Sequence, residues 1–244
     1  MLTAENYLPP DGDWEFDASV TKDFDAMLQN SIPSYFEMRR WTDTLLYHHF
    51  SQEKHPRIID LGASRGEATA RIIVDARLAK SDPKFLLIEL SDPMRSVLHQ
   101  RYAEDARVEI RNFDLRYQHK ELGDFQPTCI VCVLTTIFTP IHYRQEILSS
   151  IYNALKPSHG TFLWVEKILG DVASGTNLLN DIYYDWKASN GYTQEAITRK
   201  RLALEFAQVP LTTAWCEDLL KQAGFTWWQK YWQSLCFAAW IARA

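Results

Sequence analysis

Apolar residues in this chain fall in short unbroken runs, separated by stretches with helical spacing. Runs at 57–61, 85–90, 107–112, 128–134 and 160–166 read as strands, and 128–134 is apolar on both faces, as a central parallel strand should be. Between them, 67–79 places Ala68, Ile72, Ile73 and Ala76 on one side of a helix. A helix over 92–102 opens on Asp92-Pro93 with Asp92 as its cap, and one over 141–155 ends at Lys156-Pro157.

The pattern changes at both ends. Residues 1–12, with Pro9-Pro10 and Asp11-Gly12, read as an irregular lead-in, and Trp14 and Phe16 as apolar anchors. Asp17 is placed to cap a helix over 18–30, on which Val20, Phe24 and Met27 share a face. The segment Ser31-Ile32-Pro33-Ser34 breaks it, and a second helix covers 35–50. Residues 1–52 are thus expected to be a helical lid over the α/β domain, 53–244. Within that domain, 172–210 is expected to be a helical insertion, interrupted at Asn190-Gly191. A helix over 213–223 stops at Gly224, and strands at 226–233 and 235–243 are close enough for an antiparallel hairpin. The whole predicts an α/β, Rossmann-like fold that matches the class I methyltransferase architecture. It has a seven-stranded, mostly parallel sheet closing in an antiparallel hairpin.

The stretch Ile58-Ile59-Asp60-Leu61-Gly62-Ala63-Ser64-Arg65-Gly66 organises the chain. A strand, a glycine turn and a helix start form a nucleotide crevice in open α/β sheets. Gly62 and Gly66 permit backbone torsions and a close ligand approach that a Cβ would block. Ligands in such sheets sit at the carboxyl ends of the strands, so Gly62, Ala63, Ser64, Glu89, Asp114, Leu115 and the segment around Cys132 converge on one site. Glu89, at the tip of the second strand, can accept both ribose hydroxyls of an adenosine, and Asp114 with the Leu115 backbone can meet the adenine amino group. Two other readings exist. Gly-x-Ser-x-Gly also marks a hydrolase nucleophile elbow with Ser64 as nucleophile, and the turn can be an ordinary one with no ligand. Glu67, directly after the turn, would repel a pyrophosphate, which favours S-adenosylmethionine (SAM) over NAD. Asp114 alone can equally be a turn former after a strand.

Composition narrows the class. Of 244 residues, 46% are hydrophobic, enough for a sizeable core, and a net charge of −5 argues against direct nucleic-acid binding. Cys129 and Cys132 are three apart on a strand and point to opposite faces, so no metal is expected of them. His48-His49 are adjacent on a helix and diverge, which also disfavours a metal. No leader pattern and no bilayer-length apolar run are visible, so a reduced, cytoplasmic protein with no membrane association is expected. The basic run Thr198-Arg199-Lys200-Arg201 is either a solvated helix face or, through Arg201, a bidentate carboxylate receptor.

These residues resemble the carboxy-S-adenosyl-L-methionine synthases, a branch of the class I methyltransferase superfamily. The resemblance runs from Asp13-Trp14, through Ser31-Ile32-Pro33 with Tyr35 and the Asp60 to Gly66 stretch, to Glu166-Lys167. It is most specific at Asn190-Gly191-Tyr192 with Ile197 and Lys200-Arg201. It implies binding of SAM or carboxy-SAM and a reaction with prephenate in which CO₂ is released and captured on the SAM methyl group through an ylide. The product is then used by a partner enzyme on the tRNA wobble uridine, and the synthase is a homodimer. It assigns Arg201 to the substrate carboxylate as the catalytic position, Tyr35 to the cofactor, Glu89 to the ribose and Asp114 to the adenine. Two departures stand out: Cys132 where the family has Asn, and Glu89 where it has Asp. The alternatives are a conventional methyltransferase acting on a small carboxylate, in which Arg201 orients the acid, and a non-catalytic SAM or carboxy-SAM binder.

Overall fold

The apolar runs pair edge to edge in one sheet. The computed structural model describes residues 14–76 and 82–244. The predicted lead-in and the end of the 67–79 helix lie outside them. Preceding the sheet are α1 (Ala18–Lys22), α2 (Phe24–Ser31) and α3 (Tyr35–Gln52). Asp17 caps α1 as expected, accepting a hydrogen bond from the Val20 amide, but Asp23 divides the expected single helix into two.

Strand β1 (Arg57–Leu61) leads through turns to α4 (Ala70–Asp75). The helix starts three residues later than the spacing suggested, because 64–69 are wound as turns. Next come β2 (Lys84–Ile88), α5 (Asp92–Tyr102), β3 (Val108–Arg111), α6 (Leu115–Gln118), β4 (Cys129–Val133), α7 (Ile141–Leu155) and β5 (Thr161–Leu169). The cap of α5 is Ser91, whose hydroxyl accepts from the Met94 amide, and Asp92 sits in the first turn instead. α8 (Ala173–Ser189) and α9 (Gln194–Ala203) occupy the expected insertion, followed by β6 (Leu211–Thr212), α10 (Thr213–Ala223), β7 (Trp227–Ser234) and β8 (Phe237–Arg243).

The strand order is β3-β2-β1-β4-β5-β8-β7, parallel through β5 and antiparallel thereafter. This is the expected mostly parallel sheet with a terminal hairpin, and the two-residue β6 is an addition alongside the end of β5. Alternation along the buried strands separates two cores. Ile59, Leu61, Ile130, Cys132, Phe162 and Trp164 face α7 and α10. Ile58, Phe85, Leu87, Cys129 and Val131 face Leu46 and Phe50 of α3 and Ile72 and Ile73 of α4. Thus α3 belongs to the packing of the sheet as well as preceding it. No helix of the described residues is long and apolar enough to cross a membrane.

Candidate active site

Leu61 is level with Ile88 on one side and with Cys132 on the other, so the three adjacent strands end within one residue of the same height, before Gly62, Glu89 and Leu134. A cavity of about 990 Å³ opens there, large enough for a nucleoside-sized ligand and a small second molecule. Its walls bring together Tyr35, Gly62, Ala63, Ser64, Glu89, Asp114, Leu115 and Arg201, which the sequence had separated by up to 166 positions (201 less 35).

The turn after β1 is held in a single shape. Gly62 has φ +68°, and a Cβ there would lie 2.3 Å from the Thr135 Oγ1, which donates to the Leu61 carbonyl at 2.8 Å. Ser64 is also left-handed, at φ 51°, a conformation that costs a non-glycine residue free energy. The Ser64 amide donates to Glu89 Oε2 at 2.8 Å, and the Ser91 amide donates to Oε1 at 2.8 Å. The carboxylate of Glu89 therefore clamps the glycine turn to the end of β2. Burial raises its pKa, opposed by those two amide bonds. A carboxylate offers about four acceptor sites, so the two bonds leave two for ribose hydroxyls on the cavity side.

Asp114 follows β3, lines the cavity and caps α6, accepting from the Arg116 amide at 2.9 Å. The Arg116 guanidinium also binds it at 2.6 Å and holds its carboxyl below the usual range. The turn-forming reading of Asp114 is thus realised, and a carboxylate edge for a ligand coexists with it only through its remaining acceptor sites. Tyr35, in the first turn of α3, has its phenol pushed up to about 12 by burial, with Arg39 opposing.

Cys132 does not join the site. It is fully buried on the face packed against Phe162 and Trp164, and β4 ends instead on Val133, which points the other way and lines the cavity. Burial raises the thiol pKa of both Cys129 and Cys132. Among the described residues no cluster of His, Cys, Asp or Glu could hold a metal ion.

Arg201, on α9, lines the same cavity, and no carboxylate among the described residues pairs with it. Beside it stand three residues given no binding role by the sequence reading: Lys167 on β5, Lys187 on α8 and Lys200 on α9. For Lys187 the signal was helical spacing: it lies four positions after the buried Tyr183, on the inward face of α8. Burial lowers the pKa of all three, that of Lys187 to about 8, with the neighbouring lysines adding to the effect at Lys187 and Lys200. The arrangement is a crevice whose wall carries an anchored acid, Glu89, beyond β2 and a group of basic residues from β5, α8 and α9.

No family model matches the chain. Among curated proteins it is 31% identical to the carboxy-S-adenosyl-L-methionine synthase of Actinobacillus pleuropneumoniae, over 95% of this chain and 93% of that one. It is 31% identical to the same enzyme of Nautilia profundicola, over 89% and 88%. It is 28% identical to that of Shewanella woodyi, over 94% and 92%. Among solved structures, the citrinin polyketide synthase CMeT domain matches 91% of this chain and 55% of its own at TM-score 0.61 and 12% identity. Human N-acetylserotonin methyltransferase in complex with SAM matches 92% and 59% at TM-score 0.53 and 16% identity. This chain spans little more than half of those solved chains, and at such identities they support the fold alone. The near full-length likeness to the curated synthases settles the family: the chain belongs to the carboxy-S-adenosyl-L-methionine synthases.

Proposed function

We propose that this chain makes carboxy-SAM from SAM and prephenate. One observation carries the reading: the Glu89-clamped turn and Arg201, which pairs with no carboxylate among the described residues, line the same cavity. The strand order supports the orientation. Adenosine contacts at Asp114 and Glu89 lie beyond β3 and β2, so the reactive end of the ligand is directed across β1 and β4 towards β5, α8 and α9.

SAM supplies the sulfonium-activated methyl group, and prephenate supplies the carboxyl group. The residues of this chain position the two. Glu89 accepts the ribose hydroxyls, Tyr35 and Leu115 contribute apolar walls, and Arg201 receives the carboxylate bidentately. The apolar lining around Phe16, Phe138 and Val133 excludes water from the space between them. Alignment in a dry, positively charged pocket accounts for most of the work asked of the protein, which needs no nucleophile of its own. The same reading extends to a cytoplasmic homodimer whose product feeds modification of the tRNA wobble uridine. The net charge of −5 fits a protein that does not itself hold the tRNA.

The test is mass spectrometry of the ligand released by denaturing freshly purified protein. SAM plus the mass of one CO₂ is expected. S-adenosylhomocysteine alone would point instead to methyl transfer onto a small acid oriented by Arg201.

A further inference from the structure

Lys167 and Lys187 converge on one side chain from different elements. The Lys167 Nζ lies 5.0 Å from the centre of the Tyr183 ring, and the Lys187 Nζ lies 5.7 Å from the same ring and 4.7 Å from that of Tyr192. Tyr192 continues the chain of contacts: its hydroxyl is 3.1 Å from the Ser31 Oγ, to which the Lys200 Nζ donates at 3.3 Å. All three lysines line the cavity, and Lys187 is only 3% exposed.

Such a group is expensive unless something balances it. A buried ammonium loses its hydration and ordinarily takes a carboxylate partner. Among the described residues none is supplied to Lys167 or Lys187: the ionisable groups acting on them are the Cys236 thiol, for both, and Lys167, for Lys187. Aromatic faces recover part of the cost through the attraction of a cation to the ring face. Glu89 and Asp114 stand at β2 and β3, whereas Lys167 is on β5, three strand spacings (roughly 14 Å) from β2. Glu15, Asp17, Glu67, Asp92 and Glu205 also line the cavity, and none of them acts on Lys167 or Lys187. Two buried ammonium groups facing a cavity are thus left with aromatic faces and no carboxylate partner among the described residues.

We propose that Lys167 and Lys187 form an anion subsite, distinct from Arg201, that grips a carboxylate of the second substrate. This rests on the reading of the cavity as a two-substrate site. One carboxylate of a dicarboxylic acid would be placed at Arg201 for transfer while the lysines hold the other, which stays with the product. Lys200 adds positive potential behind them. The carboxylate of the SAM amino-acid group is the other source of the same chemistry, and the experiment separates the two.

The experiment is calorimetric titration of wild type, Lys167→Met and Lys187→Met with SAM alone, then of the SAM-saturated proteins with prephenate and with phenylpyruvate, the acid left after CO₂ loss. Methionine keeps an apolar stem of similar length and removes the ammonium group, and thermal unfolding confirms that each variant is folded. Each substitution is expected to weaken both acids about tenfold or more, the loss of one charged contact, with SAM affinity unchanged. Lys187→Arg restores most of the loss, which a packing role would not do. Acid affinities unchanged in both variants would overturn the subsite, as would wild-type protein that binds neither acid. A loss of SAM affinity equal to that of the acids would overturn it too, assigning the lysines to SAM itself. Turnover distinguishes this from the function: protein that binds the acids through the lysines yet forms no carboxy-SAM contradicts the synthase and leaves the subsite. Carboxy-SAM formed with unaltered KM in both variants contradicts the subsite and leaves the synthase.

Discussion

The Ser64 amide donates a 2.8 Å hydrogen bond to the carboxylate of Glu89, across the gap between two neighbouring strand ends. Because Ser64 is left-handed, this bond holds a backbone conformation that the residue would not choose for itself. The acid thus both shapes the turn and lines the cavity. Glu89→Ala removes both, leaves the Ser64 and Ser91 amides without their acceptor, and is expected to lower stability by about 1–3 kcal/mol and to weaken SAM binding at least tenfold. Glu89→Asp, one methylene shorter, is expected to retain ribose binding only in part, because reaching the hydroxyls means releasing an amide. Equilibrium titration with SAM alongside urea unfolding separates the two effects.

At the end of β4 the faces of the strand give a contrasting pair. Cys132→Ala is expected to cost about 1 kcal/mol of stability by leaving a small void against Phe162 and Trp164, with SAM affinity unchanged. Val133→Phe is expected to do the opposite, filling the cavity and lowering ligand affinity at least tenfold. The departure from the family's Asn at Cys132 therefore falls on a side chain in the core, outside the cavity lining.

Asp60 lies beneath the turn, fully buried, with Thr69 Oγ1 donating to it at 2.9 Å. Burial pushes its carboxyl from 3.8 up to about 7, the Thr69 bond opposing. The folded chain then holds a proton there that the unfolded chain has released, so its contribution to stability is complete below about pH 4 and is lost as pH rises through about 7. Glu166, raised to about 7 by burial, acts in the same direction. Asp60→Asn keeps an acceptor for Thr69 and cannot ionise. Its stability relative to wild type is expected to rise between pH 4 and pH 8 by a few kcal/mol, about 1.4 kcal/mol for each unit by which the pKa is displaced. Urea unfolding of both proteins across that range checks this, and a constant difference would contradict it.

Arg201 gives the ligand-selective prediction. Arg201→Ala is expected to weaken carboxy-SAM by about 1.5–3 kcal/mol while leaving SAM nearly unaffected, since only the former carries the carboxylate that the guanidinium meets. Competition binding of the two ligands to each protein reads the difference, and equal losses would remove the assigned role.

Much of the fold was legible because parallel strands buried on both faces leave continuous apolar runs. The runs around Ile58-Ile59 and Cys129 to Val133 could hardly be anything else. The misplacements came from local competition. Ser91 outbid Asp92 for the α5 cap, Asp23 split the first helix, and β6 is two residues long, too short to carry a pattern. In the site, the turn and Glu89 could be found by spacing along consecutive strands. The strand end could not be placed to the residue, since Cys132 and Val133 differ only in which face they present. The lysine cluster was hidden because its members come from β5, α8 and α9, and a basic residue in a helix usually meets water.

The most direct measurement is turnover: purified protein incubated with SAM and prephenate, with products separated and weighed by mass spectrometry. The account predicts carboxy-SAM and phenylpyruvate formed in equal amounts, and loss of both with Arg201→Ala. S-adenosylhomocysteine with a methylated acid, or no product from wild type that binds both substrates, would contradict it.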